Sequence, residues 1–242
     1  LDKQQVIYKD LGIIDYKSAW DYQEELVRQN REIKSEANML STAGNRQSTD
    51  LAIATQNYLL FCEHPAVYTL GKSGSMKNVL LSEKEMEEKE IEFFKTNRGG
   101  DITFHGLQQV VGYPILDLEN FYTDIGRYLR ELEEVIIKTI AEYGLKGERS
   151  KGETGVWIEP GVIGRERKIC AMGIRCSRWI TMHGFALNVN TDLSYFENII
   201  PCGIQNKQVT SIEKELKQKI SLQEVKDKLK KNFSEIFNVE II

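Results

Sequence analysis

The switching of hydrophobic period along the chain constrains its fold more than any other feature. Residues 15–40 carry apolar side chains at helical spacing, with Ala19, Tyr22, Leu26 and Ile33 near one face. Residues 57–70 are apolar, β-branched and aromatic, and His64-Pro65 breaks them into strand, turn and strand. A glycine-punctuated turn at 71–74 leads into an acidic run, expected as a short helix or a loop. Residues 96–112 repeat the strand–turn–strand pattern, and 113–118 continue extended because Pro114 biases its predecessor away from helix. Thr123 or Asp124 then caps a long helix with an apolar face of Ile125, Tyr128, Leu129, Leu132, Val135, Ile136, Ile140 and Tyr143. Gly144 follows in the usual C-terminal capping position.

From 155 to 190 the period returns to two. Residues 156–158 and 162–163 flank a Glu-Pro-Gly turn, and 168–175 and 180–189 are further strands. Residues 191–204 are irregular. Ser221, with Glu224 three residues later, opens a last helix whose stripe is Leu222, Val225, Leu229, Phe233 and Ile236. Hairpins, a long helix, more hairpins and a final helix predict an α+β (α/β) fold with a mixed, largely antiparallel sheet flanked by helices. The 242 residues show no repeat and no clear linker, so 1–242 is expected to be one domain. The polar, unperiodic stretch 41–50 reads as a mobile surface loop.

Composition removes several classes. No apolar run approaches the roughly 18 residues that cross a bilayer. The first ten residues lack the basic head and apolar stretch of a secretory signal. The four cysteines (Cys62, Cys170, Cys176, Cys202) have no C-x-x-C spacing and read as reduced thiols of a cytoplasmic protein. A net charge of −4 argues against general nucleic-acid binding, yet 82–92 is net −4 and 147–178 net +3, so a basic middle could steer an acidic partner. Neither G-x-x-x-x-G-K-[ST] nor G-x-G-x-x-G is present, nor a G-x-S-x-G elbow. Cys62 and His64 are the only close pair of metal-ligand types, so no metal is expected.

Three segments carry candidate chemistry. Arg98-Gly99-Gly100-Asp101-Ile102-Thr103-Phe104-His105-Gly106 combines a fork of donors with glycines that admit close backbone approach. Cys202, between Pro201 and Gly203 in an unperiodic segment, is the candidate nucleophile, whereas the other cysteines sit inside apolar strand patterns. A free thiol is only a few per cent thiolate near neutrality and needs a base or a positive neighbour. His105, His183 and Lys168 are the available helpers. Lys168 opens an otherwise apolar strand; it is either a lysine near apolar surface, able to act as a base, or an edge-strand lysine facing water.

Taken together, R-G-G-x-x-T-F-H-G at 98–106, K-I-x-A-x-G-I-R at 168–175, H-G-x-A-L-N at 183–188 and P-C-G at 201–203 resemble the lipoyl(octanoyl) transferase family. E-H-P-A-V-Y-T-L-G at 63–71 and V-G-Y-P-I-L-D-L at 111–118 agree, and the resemblance covers about residues 58–212. It implies the catalytic module shared with biotin and lipoate protein ligases. It also implies an acyltransferase that moves octanoyl from acyl carrier protein to a lysine ε-amine on lipoyl domains of 2-oxoacid dehydrogenase complexes and the glycine cleavage H protein. By position, Cys202 matches the nucleophile that becomes an acyl-thioester and Lys168 the lysine that activates it. Arg98 to His105, Ala171-Met172-Gly173 and Gly184-Phe185-Ala186 match the segments lining the acyl site, with Ile102, Phe104, Met172 and Phe185 available for the chain. The resemblance implies no cofactor beyond the carrier's phosphopantetheine. The chain departs from the family at His105-Gly106-Leu107-Gln108-Gln109, where H-G-P-G-Q is usual, and at Phe104, where Tyr is common. An ATP-dependent lipoate or biotin-type ligase is the nearest alternative; such ligases have an extended glycine-rich adenylate loop and need no nucleophilic cysteine, whereas here the glycines are few and Cys202 is present. A non-catalytic carrier-binding protein and a papain-like hydrolase are more distant ones.

Overall fold

The computed structural model describes residues 3–42, 54–200 and 208–242. The long first helix α1 spans Tyr16–Thr42 and follows strand β1, Gln4–Ile13. Next come β2 (Asn57–Glu63), β3 (Val67–Leu70), helix α2 (Glu83–Glu88), β4 (Glu92–Lys95), β5 (Ile102–His105) and β6 (Gln109–Ile115). Helix α3 (Ile125–Ala141) precedes β7 (Gly147–Glu148), β8 (Val156–Ile158), β9 (Arg167–Ser177) and β10 (Ile180–Asn188). The chain ends with β11 (Gln208–Val209), α4 (Ile212–Leu216), α5 (Leu222–Phe237) and β12 (Val239–Ile241).

Among the described residues the strands form two sheets. The large one runs β12-β1-β2-β6-β10-β9-β8-β7, with β11 added alongside β9; the small one runs β4-β3-β5. The β2–β6–β10–β9–β8 pairs are antiparallel, whereas β1 is parallel to both β2 and β12. A two-residue period with both faces covered explains why β2, β6 and β10 are buried throughout. Tyr58, Leu60, Cys62, Val111, Tyr113, Ile115, Met182 and Ala186 meet Ala19, Leu26 and Val27 of α1. Leu59, Phe61, Val110, Phe185 and Leu187 turn the other way, toward Leu132, Val135 and Ile136 of α3 and Val225, Leu229 and Phe233 of α5. The mixed, largely antiparallel sheet between helices matches the sequence reading.

Local signals also hold. Asp124 caps α3 by accepting the Arg127 N–H, and Ser221 caps α5 through Glu224 N. Gly144 takes the left-handed φ of +77° after α3. The acidic run is the capped helix α2, with Ser82 and Glu85 in a reciprocal capping box.

Three expectations need correction. The strand predicted from 96 onward is a loop up to residue 101, and the strand before it is Glu92–Lys95, concealed in the sequence by its charged ends. Val162 and Ile163 belong to no strand; they sit on an exposed turn where Ile163 is 98 % exposed. The predicted surface loop 41–50 begins inside α1 at 41–42, and the rest of it lies outside the described residues. Cys202 also lies outside them.

Candidate active site

A cavity opens where the loop before β5 crosses the β9–β10 pair. Of the residues the sequence assigned to an acyl site, Arg98, Gly100 to Thr103, His105, Ala171 to Gly173 and Gly184 to Ala186 line it, and so does Lys168. Gly99 and Phe104 stand behind it. The Gly99 N–H donates to Ile174 O at 2.9 Å, joining the loop to β9. Phe104 stacks on Tyr195 at 4.6 Å between ring centres and fills the small sheet's core.

The 98–101 loop is held by backbone and by its own side chains. The N–H groups of Gly71, Lys72 and Ser73 donate to the carbonyls of Asp101, Arg98 and Gly100. Arg98, 7 % exposed, donates to Thr69 O, Thr69 Oγ1, Gly99 O and Asp101 O, so its guanidinium fork fastens the wall to β3. Asp101 accepts from Ile102 N and Asn78 Nδ2. Gly173 is required by this packing: a Cβ there would lie 2.5 Å from Gly99 O. The unusual Gln108 takes a φ of +63°, the conformation the family's glycine would supply. It is secured there by Glu63 accepting its N–H and by Asn190 donating to its side chain.

Three histidines, far apart in sequence, gather on this side of the sheet. His64 Nδ1–H donates to Ile14 O at 2.7 Å, so Nε2 accepts the Tyr113 hydroxyl at 2.7 Å. Gln109 donates its amide to Phe104 O and Asn188 Oδ1, which turns its oxygen toward His105. His105 Nδ1–H therefore donates to Gln109, and Nε2 faces the Thr69 hydroxyl at 3.3 Å. Burial is the main cause that lowers all three imidazoles, His64 to about 4, His183 to about 3 and His105 well below its ordinary range. They are neutral near pH 7. Burial likewise raises Tyr16 to about 12 and pushes Tyr113 well above its ordinary value. His105 thus has both nitrogens engaged, which suits a wall residue better than a base.

Lys168 is half-buried on β9 and faces the cavity, with its ammonium 4.6 Å from the centre of the Trp157 ring. β11 runs parallel to β9 at this point, with Val209 opposite Lys168 and also lining the cavity. On the other side of the 201–207 segment, the Ile200 N–H donates to Asn78 O at 2.8 Å. The thiols of Cys62 and Cys170 are buried, and burial raises both, so neither has the character of a nucleophile.

Some lining residues were not assigned to the site from the sequence: Tyr16, Gln109, Val111, Tyr113, Thr154, Asn188, Phe196 and Val209; His183 was named only as a possible helper for Cys202. Tyr113 and His183 lay inside recognised motifs, so a signal existed for them. Tyr16 opens α1 and gave none. The basic stretch 147–178 is not a free positive face. Arg149 engages Glu133 and Glu134, Arg165 and Arg167 engage Glu159, Arg167 also engages Glu215, and Arg175 engages Glu24.

Residues 15–234 match the family model described as lipoyl protein ligase A/B catalytic domain. The chain belongs to that family. Octanoyltransferases of Christiangramia forsetii and Flavobacterium johnsoniae are 58 % and 57 % identical to it, over 98 % and 99 % of both chains. Among the family's members this chain is an acyltransferase, grouped with the octanoyltransferases of lipoylation. The fold is that of solved lipoate protein ligases. The bipartite ligase of Thermoplasma acidophilum has a TM-score of 0.70 at 16 % identity, covering 100 % of this chain and 86 % of that one. A lipoate-protein ligase A bound with ATP has a TM-score of 0.65 at 14 % identity, covering 100 % and 90 %. At such identities the likeness is one of fold alone. No helix among the described residues is long and apolar enough to cross a membrane.

Proposed function

We propose that octanoyl transfer in this chain runs through an acyl-thioester on Cys202, with Lys168 as its proton partner. The observation that carries this reading is the lysine at the cavity wall beside β11, the strand that follows the cysteine segment. The donor is octanoyl-acyl carrier protein, and the acceptor is a lysine on lipoyl domains such as those of 2-oxoacid dehydrogenase complexes and the glycine cleavage H protein. Lys168 takes the thiol proton, leaving a thiolate beside an ammonium. The thiolate attacks the carrier thioester, the carrier sulfur leaves and takes the proton from Lys168, and octanoyl-Cys202 remains. The acceptor amine then attacks that carbonyl and loses its proton to Lys168, and Cys202 leaves as thiolate. This restores the starting pair and forms the amide. The donor is already activated, so the reaction needs neither ATP nor a further cofactor. Ile102, Met172 and Phe185 supply apolar wall for the chain.

Intact mass after incubation with octanoyl-carrier protein tests the reading. One octanoyl adduct is expected, absent in Cys202→Ser; an adduct that survives this substitution overturns it. Lys168→Ala is expected to stay folded and to lose at least about a hundredfold in transfer rate, and near-normal transfer would remove Lys168 from the chemistry.

A further inference from the structure

A polar chain runs along the cavity and joins the two sheets. Arg98 Nη2 donates to Thr69 Oγ1 at 2.9 Å, and that hydroxyl is 3.3 Å from His105 Nε2. His105 Nδ1 is 2.9 Å from Gln109 Oε1, Gln109 Nε2 is 2.8 Å from Asn188 Oδ1, and Asn188 Nδ2 is 3.0 Å from Thr210 O. Thr69, His105, Gln109, Asn188 and Thr210 are all buried. Thr69 and His105 belong to the small sheet, whereas Gln109 of β6 and Asn188 of β10 stand opposite each other in the large one. His183 stays outside this chain: its backbone is reversed, with a φ of +58°, and its Nε2 meets Asn97.

The last acceptor fixes the direction of every link. A carbonyl oxygen only accepts, so the Asn188 atom facing Thr210 O is the amide nitrogen. The Asn188 oxygen then faces Gln109, whose nitrogen must donate. That nitrogen also reaches Phe104 O, a second carbonyl, at 3.2 Å. The Gln109 oxygen is left for His105, so Nδ1 carries the ring hydrogen and Nε2 accepts the Thr69 hydroxyl hydrogen. The Thr69 lone pairs are then open to Arg98. The five hydrogen bonds therefore point one way, from a guanidinium to a carbonyl. Bonds aligned in this manner polarise one another, and removing one member leaves its neighbours buried and unpaired.

The carbonyl end of this chain lies at Lys168. The Thr210 N–H donates to Lys168 O at 2.9 Å, and Val209 before it is the register partner of Lys168. β11 is only two residues long, below the usual length of a strand, so ladder bonds alone hold it weakly. It is also where the chain returns from Cys202, six residues before Gln208. Asn188 adds a hold from the neighbouring strand by tying down the Thr210 carbonyl.

We infer that Gln109 and Asn188 are positioning residues for acyl transfer: they complete a relay that seats the chain returning from Cys202 on β9 opposite Lys168. The inference rests on the reading of Lys168 as the proton partner of Cys202. Gln109 and Asn188 also line the cavity, so the competing role is that of plain wall against the acyl chain. A wall residue acts on binding of the donor, whereas a positioning residue acts on the reaction once the donor is bound.

The test compares the wild type with Asn188→Leu, which keeps roughly the volume of asparagine and none of its hydrogen bonds. With octanoyl-carrier protein as donor, kcat is expected to fall about tenfold or more while KM changes less than about threefold. A raised KM with unchanged kcat overturns the inference. Alkylation of Cys202 by iodoacetamide involves no acyl chain and isolates position from binding. Its pH midpoint should lie below the ordinary thiol value of about 8.5 in the wild type and move back toward it by about half a unit or more in Asn188→Leu. A midpoint that does not move between the two overturns the inference. Thr69 acts on Lys168 only through the relay, so Thr69→Val is expected to lower kcat and Thr69→Ser to recover most of it. Equal rates in these two overturn the relay, even if Asn188→Leu does not fold. A wild type with neither adduct nor depressed midpoint counts against the Cys202–Lys168 reading instead. Hydrogen exchange then decides the relay by itself: the Thr210 amide should exchange about tenfold faster or more in Asn188→Leu or Thr69→Val, and an unchanged rate overturns it.

Discussion

Residues 98–101 and residues 159–165 both combine glycine with arginine, and they reach opposite fates. In the first, Arg98 is buried and gives its fork to Thr69 and to backbone carbonyls, while three N–H groups of the 71–73 turn close on the loop from outside. In the second, Arg165 is 68 % exposed and pairs with Glu159 across its own turn, and Ile163 stands in solvent. Glycine and arginine therefore identify loops in both places, but what makes one of them a wall is a strand ready to receive it. β9 supplies a bare glycine at residue 173, and β3 supplies a buried threonine at 69.

The contrast can be tested by acid first. His64, His105 and His183 are buried at or beside this wall with depressed folded values, so the unfolded chain binds their protons more readily than the native one. Their contribution is whole above the unfolded value of about 6.5 and is lost as pH falls toward the folded values. Lowering the pH from about 7 to about 5.5 should remove about 4 kcal/mol in denaturant titrations, and a flat profile would mean the three rings are not buried neutral. Arg98→Ala should cost about 3 kcal/mol in the same assay, with Arg98→Lys recovering less than half because an ammonium lacks the planar fork. Loss below about 1 kcal/mol would make the loop self-supporting. Gly173→Ala should cost about 2 kcal/mol and slow octanoyl-adduct formation, since a methyl group and Gly99 O compete for one space. Ile163→Ser, on the exposed turn, should change stability by less than about 0.5 kcal/mol; a larger loss would show that the turn is packed.

Much of this was legible in the residues. Helical period and caps gave α1, α3 and α5, because amphipathic spacing and an Asp or Ser at the first turn act locally. The motif segments gave most of one cavity, because each lies on a strand or the turn beside it. What escaped depends on partners distant in the chain. Glu92–Lys95 pairs with β3 although charge marks both its ends. Tyr16 becomes a wall only when α1 covers the sheet. Arg98 looked like a ligand donor until Thr69 was placed beneath it. The reversed backbone at His183 has no sequence signal at all, since histidine promises no left-handed turn.

The pairing of β12 with β1 has a kinetic side. The N–H of Ile242 donates to Val6 O, and the N–H of Tyr8 donates to Ile242 O. The strand that opens the described chain thus obtains one of its neighbours from residues more than two hundred positions away. During synthesis that flank of β1 stays without β12 until residues 239–241 emerge, and such remote closures are slow to find. An unfinished chain in this interval presents open strand edge to other chains, the usual route to aggregation. Helix α5 and strand β12 therefore act late, as the lock on a sheet whose other strands precede them in the chain.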